Sequence, residues 1–475
     1  MIDEFDLLIN QCSDAFNQDS SWKTGRDLAF GVFNCMGRHT LTGMLTASGQ
    51  QFVDWSSAYR LFSRQRVDTS KLFDVVRSGV MQELGPRQMI VAHMDDTILR
   101  KNGIHIPGTA WRRDPLGPHF HTNFVWGQRF LQISMALPDH QGCSRSRAIP
   151  IGFYHCPTAK KPRPAAGEED WKNYKEQKSK LKLSKQGSDH LKQLREELDK
   201  QGASEKQLVV SVDGGYTNAE VLKNLPERVT LIGRIRKDTK LYTIPGQQTV
   251  LGRKRVYGDR LPTPEQIRQS DQYPWQEVNA WAAGKEHKFN VKVVKNIRWR
   301  SAGQENDLQM LVIRPLGYRL TKLSKMFYRE PAYLICTDSE MGIEELLQDY
   351  LWRWEIEVNF REEKTILGCG QAQVRNPDSA ELVPAFIAAI YAMLHLAAYR
   401  SLKRSDQVML PRPKWYQKKK EERHSTGDLI NNLKAQAWAK TIGMNFSGFV
   451  NGELKTQNLR KATNPFTSAV FYMRN

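Results

Sequence analysis

Cysteine is scarce. The six thiols, at positions 12, 35, 143, 156, 336 and 369, include no Cys-x2-Cys pair, which speaks against a zinc ribbon or a disulfide framework and leaves reduced thiols in a cytoplasmic protein as the expectation. No leader is expected either: Met1-Ile-Asp-Glu-Phe-Asp has no basic region ahead of an apolar core, which speaks against a secretory signal. Long apolar runs are nearly absent. Leu382–Tyr399 has about the minimum length for a span, but it holds Pro384 and His395 and is rich in alanine, so a buried helix is expected and no membrane. Acid is in deficit, with 51 Asp and Glu against 70 Lys and Arg, a formal charge of +19. That balance favours a polyanion, and nucleic acid before all others. The basic residues are spread along the chain and do not flank one amphipathic helix, which disfavours an anionic membrane surface. His105, His119, His121, Cys143, His155 and Cys156 follow no zinc-ligand spacing and read as surface or packing residues.

What is present is a globular composition, 40% hydrophobic and 10% aromatic, on a chain long enough for two or three domains. Its most informative stretch is Tyr-Leu-Trp-Arg-Trp-Glu-Ile-Glu-Val-Asn-Phe-Arg-Glu-Glu-Lys. At about 100° per residue, Tyr350, Arg353, Glu357 and Lys364 fall within roughly 60° of one another on a helix, with Arg361 on the same arc. A carboxylate between cations suits a metal-bound phosphodiester, since the acid can hold a divalent ion while Arg and Lys neutralise phosphates. The plain alternative is a solvated face with pairs such as Glu357 with Arg361. Two upstream segments each end an apolar run on aspartate. Gln88-Met-Ile-Val-Ala-His-Met-Asp95-Asp96-Thr97 reads as a buried strand delivering Asp95 at its end, and Lys206-Gln-Leu-Val-Val-Ser-Val-Asp213-Gly-Gly-Tyr repeats the pattern. Two strand-end aspartates and a helix glutamate make a trio of oxygen ligands for a pair of Mg²⁺ ions about 3.5–4 Å apart.

At these residues the chain resembles the bacterial insertion-sequence transposases of the DDE type, in the branch marked by Tyr-x2-Arg-x3-Glu-x6-Lys. Tyr350, Arg353, Glu357 and Lys364 match that spacing without a gap. The resemblance covers about residues 85 to 400. It implies a ribonuclease-H-like catalytic core with Asp95, Asp213 and Glu357 as catalytic residues and metal ligands; Asp96 competes with Asp95 for the first place. It implies Tyr350, Arg353 and Lys364 as DNA-binding residues, and Arg361, on the same helix arc, is added to them from its position. The cofactor would be two Mg²⁺, with Mn²⁺ as alternative. The partners would be double-stranded transposon ends and target DNA, with a homodimer as the synaptic unit in the cytoplasm, at the nucleoid.

The order of elements agrees with an α/β class in which a ribonuclease-H-like mixed sheet is flanked by helices. The expected strands Gln128–Leu137 and Ala148–Tyr154 precede a long polar helix over Gly167–Lys200; after Asp213 come a helix near Asn218–Asn224 and a strand Arg228–Ile235. A β-rich insertion follows, with strands expected at Thr249–Tyr257, Phe289–Arg300, Gln309–Arg314 and Ala332–Thr337. The expected division is a separate helical DNA-binding or dimerisation domain over 1–84, core over 85–237, insertion over 238–340, core again over 341–402, and a basic linker with a C-terminal helix (Asp428–Gly443) over 403–475. In the first part, helices are read at Trp22–Cys35, Thr40–Thr46, Gln51–Leu61 and Ser70–Met81. Thr40–Thr46 and Val53–Arg60 suit either a helix-turn-helix with Arg60, Arg64 and Arg66 towards phosphate, or a bundle that only packs. Lys160-Lys-Pro-Arg163 and Pro411–Lys420 are candidate backbone contacts, and Trp275, Trp281 and Trp299 are candidates to prop a flipped base or to fill a core. The expected function is cutting element ends and joining their 3′-hydroxyls to target DNA. A nuclease that only cuts and a silent DNA-binding protein are the alternatives.

Overall fold

The computed structural model describes residues 1–86, 89–114, 117, 123–140, 142–246, 254–303, 306–319, 321, 323–404, 409–410 and 423–447. The basic segment Pro411–Lys420, His119, His121 and Gln88 lie outside them. So do residues 249–253 of the expected strand Thr249–Tyr257, whose remainder forms no strand.

Five helices precede the first strand: α1 (Ile2–Gln11), α2 (Asp19–Asn34), α3 (Leu41–Ala47), α4 (Ser56–Ser63) and α5 (Thr69–Leu84). Their ends follow local chemistry. Thr40 accepts from the Gly43 amide to open α3, and Asp68 accepts from the Ser70 amide to open α5. Helix α1 was not foreseen, although Ile2, Phe5, Leu8 and Ile9 form one buried stripe at helical spacing. Nor do the five helices keep a core of their own. Phe62 meets Phe386 edge-on at 5.5 Å, and a Cβ on Gly79 would stand 2.6 Å from Leu396, so their apolar faces belong to one continuous core with the rest of the chain.

The sheet begins with β1 (Met89–Arg100), β2 (Ala110–Arg113), β3 (Phe124–Pro138) and β4 (Ser146–His155). Two helices follow, α6 (Glu168–Lys180) and α7 (Leu183–Leu198), where one was expected; α6 buries nothing, and the apolar stripe Leu191, Leu194 and Leu198 that docks on the sheet starts only in α7. Then come β5 (Gln207–Val212), α8 (Ala219–Leu222) and β6 (Val229–Arg234). Strands β1, β3 and β4 are antiparallel, while β5 and β6 run parallel to β1, in the spatial order β4-β3-β1-β5-β6. This is the ribonuclease-H-like arrangement.

The next hundred residues form β7 (Tyr242–Thr243), α9 (Pro264–Gln269), β8 (Gln276–Ala282), β9 (Lys285–Arg298), β10 (Leu308–Ile313), β11 (Gly317–Tyr318), β12 (Phe327–Tyr328) and β13 (Ala332–Cys336). They extend the core sheet: β13 pairs with β6 and carries β10 and β9 outward, giving eleven strands in one sheet among the described residues. Helices α10 (Ile343–Trp352), α11 (Trp354–Thr365), α12 (Pro377–Arg404) and α13 (Thr426–Thr441) follow among the described residues. Helix α12 contains the longest apolar run and is long and apolar enough to cross a membrane, but 89% of its most apolar window is buried inside the protein, against β4, α5 and α1.

Candidate active site

Strand β1 does not end at Asp95 as expected. Its parallel partner β5 stops at Val212, opposite Met94, but its antiparallel partner β3 continues to Gly127, opposite Arg100, and keeps β1 paired for six residues more. Asp95 therefore stands mid-strand, at the point where β5 gives way to Asp213. Asp213 follows directly on Val212, the partner of Met94, and its charge acts on Asp95, Asp96 and Arg353.

Alternation along β1 separates the neighbouring acids. Asp95 and Thr97 face α11: Arg353 Nη1 donates to Asp95 Oδ2 at 2.8 Å and Lys364 Nζ to Thr97 Oγ1 at 2.9 Å. Asp96 faces the other way, where the Tyr216 hydroxyl donates to it at 3.0 Å and Arg129 pairs with it at 3.2 Å. Both partners of Asp96 were missed from sequence, although Tyr216 closes the quoted Asp-Gly-Gly-Tyr run.

The signature residues do not share one uninterrupted helix. The chain turns at Arg353, between α10 and α11, where the Arg353 amide reaches back only three residues to the Tyr350 carbonyl (3.2 Å). Tyr350 thus lies in the last turn of α10 with its ring 5.7 Å from the Arg353 guanidinium, while Glu357 and Lys364 ride on α11. Arg353 Nη2 pairs with Glu357 Oε1 at 3.3 Å, so Glu357 turns to Arg353 and not to Arg361. Arg361 stands in solvent, 67% exposed, with Glu362 at 3.9 Å.

Electrostatics tie the group together. Burial pushes the Asp95 carboxyl up to about 7, with the Arg353 charge pulling it down and Asp96 and Asp213 pushing it up. Burial works against the Arg353 charge, yet Tyr350, Asp95, Glu357 and Asp213 together hold its pKa above the usual value. All three predicted acids therefore act on one guanidinium, which is only 12% exposed. Beneath it lies His93, two residues before Asp95 on the same face, buried with neither ring nitrogen bonded; burial and the Arg353 charge push its pKa down to about 3. Among the described residues no three Asp, Glu, His or Cys side chains stand close enough to enclose one ion. Arg353 stands between Asp95 and Glu357 instead. The donor set nonetheless fits a hard divalent cation: carboxylate oxygens around a position that already accommodates positive charge.

Polar contacts on the far side fix the rotation of α11. Asn359 donates to the Ala148 carbonyl at 3.0 Å, while Tyr391 and Thr426 donate to Glu362 at 2.7 and 2.6 Å. The other sequence candidates lie elsewhere. Arg60 and Arg64 are exposed beside Trp55 and Tyr59 on α4 and its flanks. Trp275 stacks under Lys292 at 4.5 Å, Trp281 meets Arg145 at 5.9 Å, and Trp299 packs into the core.

A ribonuclease-H-like sheet with carboxylates gathered where its parallel strands end defines the class of metal-dependent nucleases. Within that class, the family model described as DDE superfamily endonuclease matches residues 13–306, and the chain belongs to that family. The match spans Asp95 and Asp213 and most of the N-terminal helices, and it ends before Glu357. Membership makes the chain a nuclease-type enzyme of a family that uses divalent metals. No curated protein matches it.

Proposed function

We propose that the chain is a cut-and-paste DNA transposase, acting as a homodimer on paired double-stranded element ends in the cytoplasm. The observation that carries this reading is the placement of Arg353 between Asp95 and Glu357, with the Asp213 charge acting on both Asp95 and Arg353. Two divalent cations, Mg²⁺ or Mn²⁺, held by Asp95, Asp213 and Glu357 would activate the attacking water or 3′-hydroxyl and stabilise the leaving oxygen. The side chains around them position the substrate. Lys364 and Arg353 bring positive charge to the phosphates flanking the scissile bond, and Tyr350 braces the Arg353 stem. Thr97 aims the Lys364 ammonium. Arg361, being exposed, is free to meet the DNA backbone farther out. The formal charge of +19 supplies affinity without sequence preference.

The test is incubation with labelled DNA carrying the inverted repeats that flank the coding region, plus Mg²⁺. Joined products support a transposase. Cut products alone would make it a nuclease that does not join, and a shifted complex without cleavage would make it a binding protein.

A further inference from the structure

A cavity of about 500 Å³ opens on the same sheet face as Asp95, toward the start of β1, between that strand, the end of β3 and α10. Val91, Ala136 and Trp352 form its apolar walls, while Glu344, Glu345 and Asp349 of α10 supply carboxylates. Among the described residues no Lys or Arg lines it. Glu344 and Glu345 sit in the first turn of α10, where the helix dipole alone accounts for acids. Asp349 does not. It lies in the second turn, is 3% exposed, and its Oδ2 has no hydrogen-bond partner. A buried carboxylate oxygen without a donor is costly to the fold. Burial and the Glu345 charge raise its pKa well above the ordinary range, and no cation among the described residues pulls it back.

We propose that this cavity binds an aliphatic diamine or polyamine, with one ammonium on Asp349, a second on Glu345, and the methylenes against the apolar walls. The spacing fits that class. Residues four apart on a helix are separated by about 6 Å along its axis, roughly the span of two ammonium groups joined by four methylenes. A metal ion is a poor occupant, since no three ligating side chains converge here among the described residues. A single protein side chain would leave most of the volume empty, whereas small-molecule sites begin at about 300 Å³. The site is independent of the transposase reading.

The experiment is calorimetric titration of the full-length, DNA-free protein with putrescine, at salt high enough to screen surface pairs, with butanediol and n-butylamine as controls. Expected are one saturable putrescine site per chain, no response to butanediol, and binding about tenfold weaker or worse in Asp349→Asn. Glu345→Gln should weaken putrescine but not n-butylamine. Asp349→Leu guards against misfolding: it should keep or raise the thermal midpoint, having removed an unpaired buried acid, and bind nothing. Parental affinity in either Asp349 variant, salt-displaced binding at many sites, or no saturable binding to the parent would overturn the proposal.

Discussion

Arg353 donates to Asp95 at 2.8 Å and holds the position between that acid and Glu357 that a divalent cation would otherwise claim. On the proposed reading, metal uptake has to displace a positive charge. Arg353→Ala should bind Mn²⁺ several-fold more tightly than the parent in calorimetry, because attraction to the carboxylates no longer competes with a guanidinium. Its DNA cleavage should fall. An unchanged Mn²⁺ affinity would mean that Arg353 does not occupy the cation's place.

The raised Asp95 carboxyl carries a stability signature. Between its ordinary value of 3.8 and about 7, the folded state holds a proton that the unfolded chain has released. The metal-free protein should therefore lose stability as pH rises through that window, by at most about 4 kcal/mol from this group. Denaturation midpoints in EDTA at the two ends of the window measure the loss, and Asp95→Asn should remove this part of it. Added Mn²⁺ should stabilise the parent more at the upper end, where the carboxylate is ionised.

Asp95 and Asp96 point to opposite faces and should separate under mutation. Asp95→Asn should reduce cleavage at least about a thousandfold if this acid holds the metal. Asp96→Asn should keep cleavage within about tenfold and destabilise by about 1–3 kcal/mol, since Tyr216 and Arg129 lose a charged acceptor. Tyr216→Phe should reproduce only the stability loss, at about 1 kcal/mol. The reverse pattern would move the first ligand to Asp96.

The N-terminal helices share their core with α12, and the Arg400 guanidinium reaches Glu83 on α5 at 3.2 Å. A chain starting at residue 85 should lack a cooperative thermal transition by circular dichroism. A sharp transition in that truncated protein would show that the helices are dispensable.

That these residues would lie near one another was legible because they are concentrated in short runs: Asp95-Asp96-Thr97, Asp213-Gly-Gly-Tyr, and the signature around Glu357. What stayed hidden depends on partners distant in sequence. The extension of β1 past Asp95 is dictated by β3, and the break at Arg353 by how α10 and α11 dock on different strands. Strand β8 escaped notice because its hairpin turns on Ala283-Gly284, both in left-handed conformation, and alanine is not a residue that announces such a turn. The joining of the insertion to the core sheet was invisible for a similar reason: alternation shows that β13 is a strand, but not that β6 is its neighbour.

The central claim is that residues 95, 213 and 357 hold cations together. Loading the metal-free protein with Fe²⁺, generating hydroxyl radicals with ascorbate and peroxide, and mapping backbone cuts by mass spectrometry tests it without any DNA substrate. The account expects cuts clustered at all three places, next to Asp95, Asp213 and Glu357, suppressed by excess Mg²⁺ and lost in Asp95→Asn. Cuts at only one of the three, or in some other part of the chain, would contradict it.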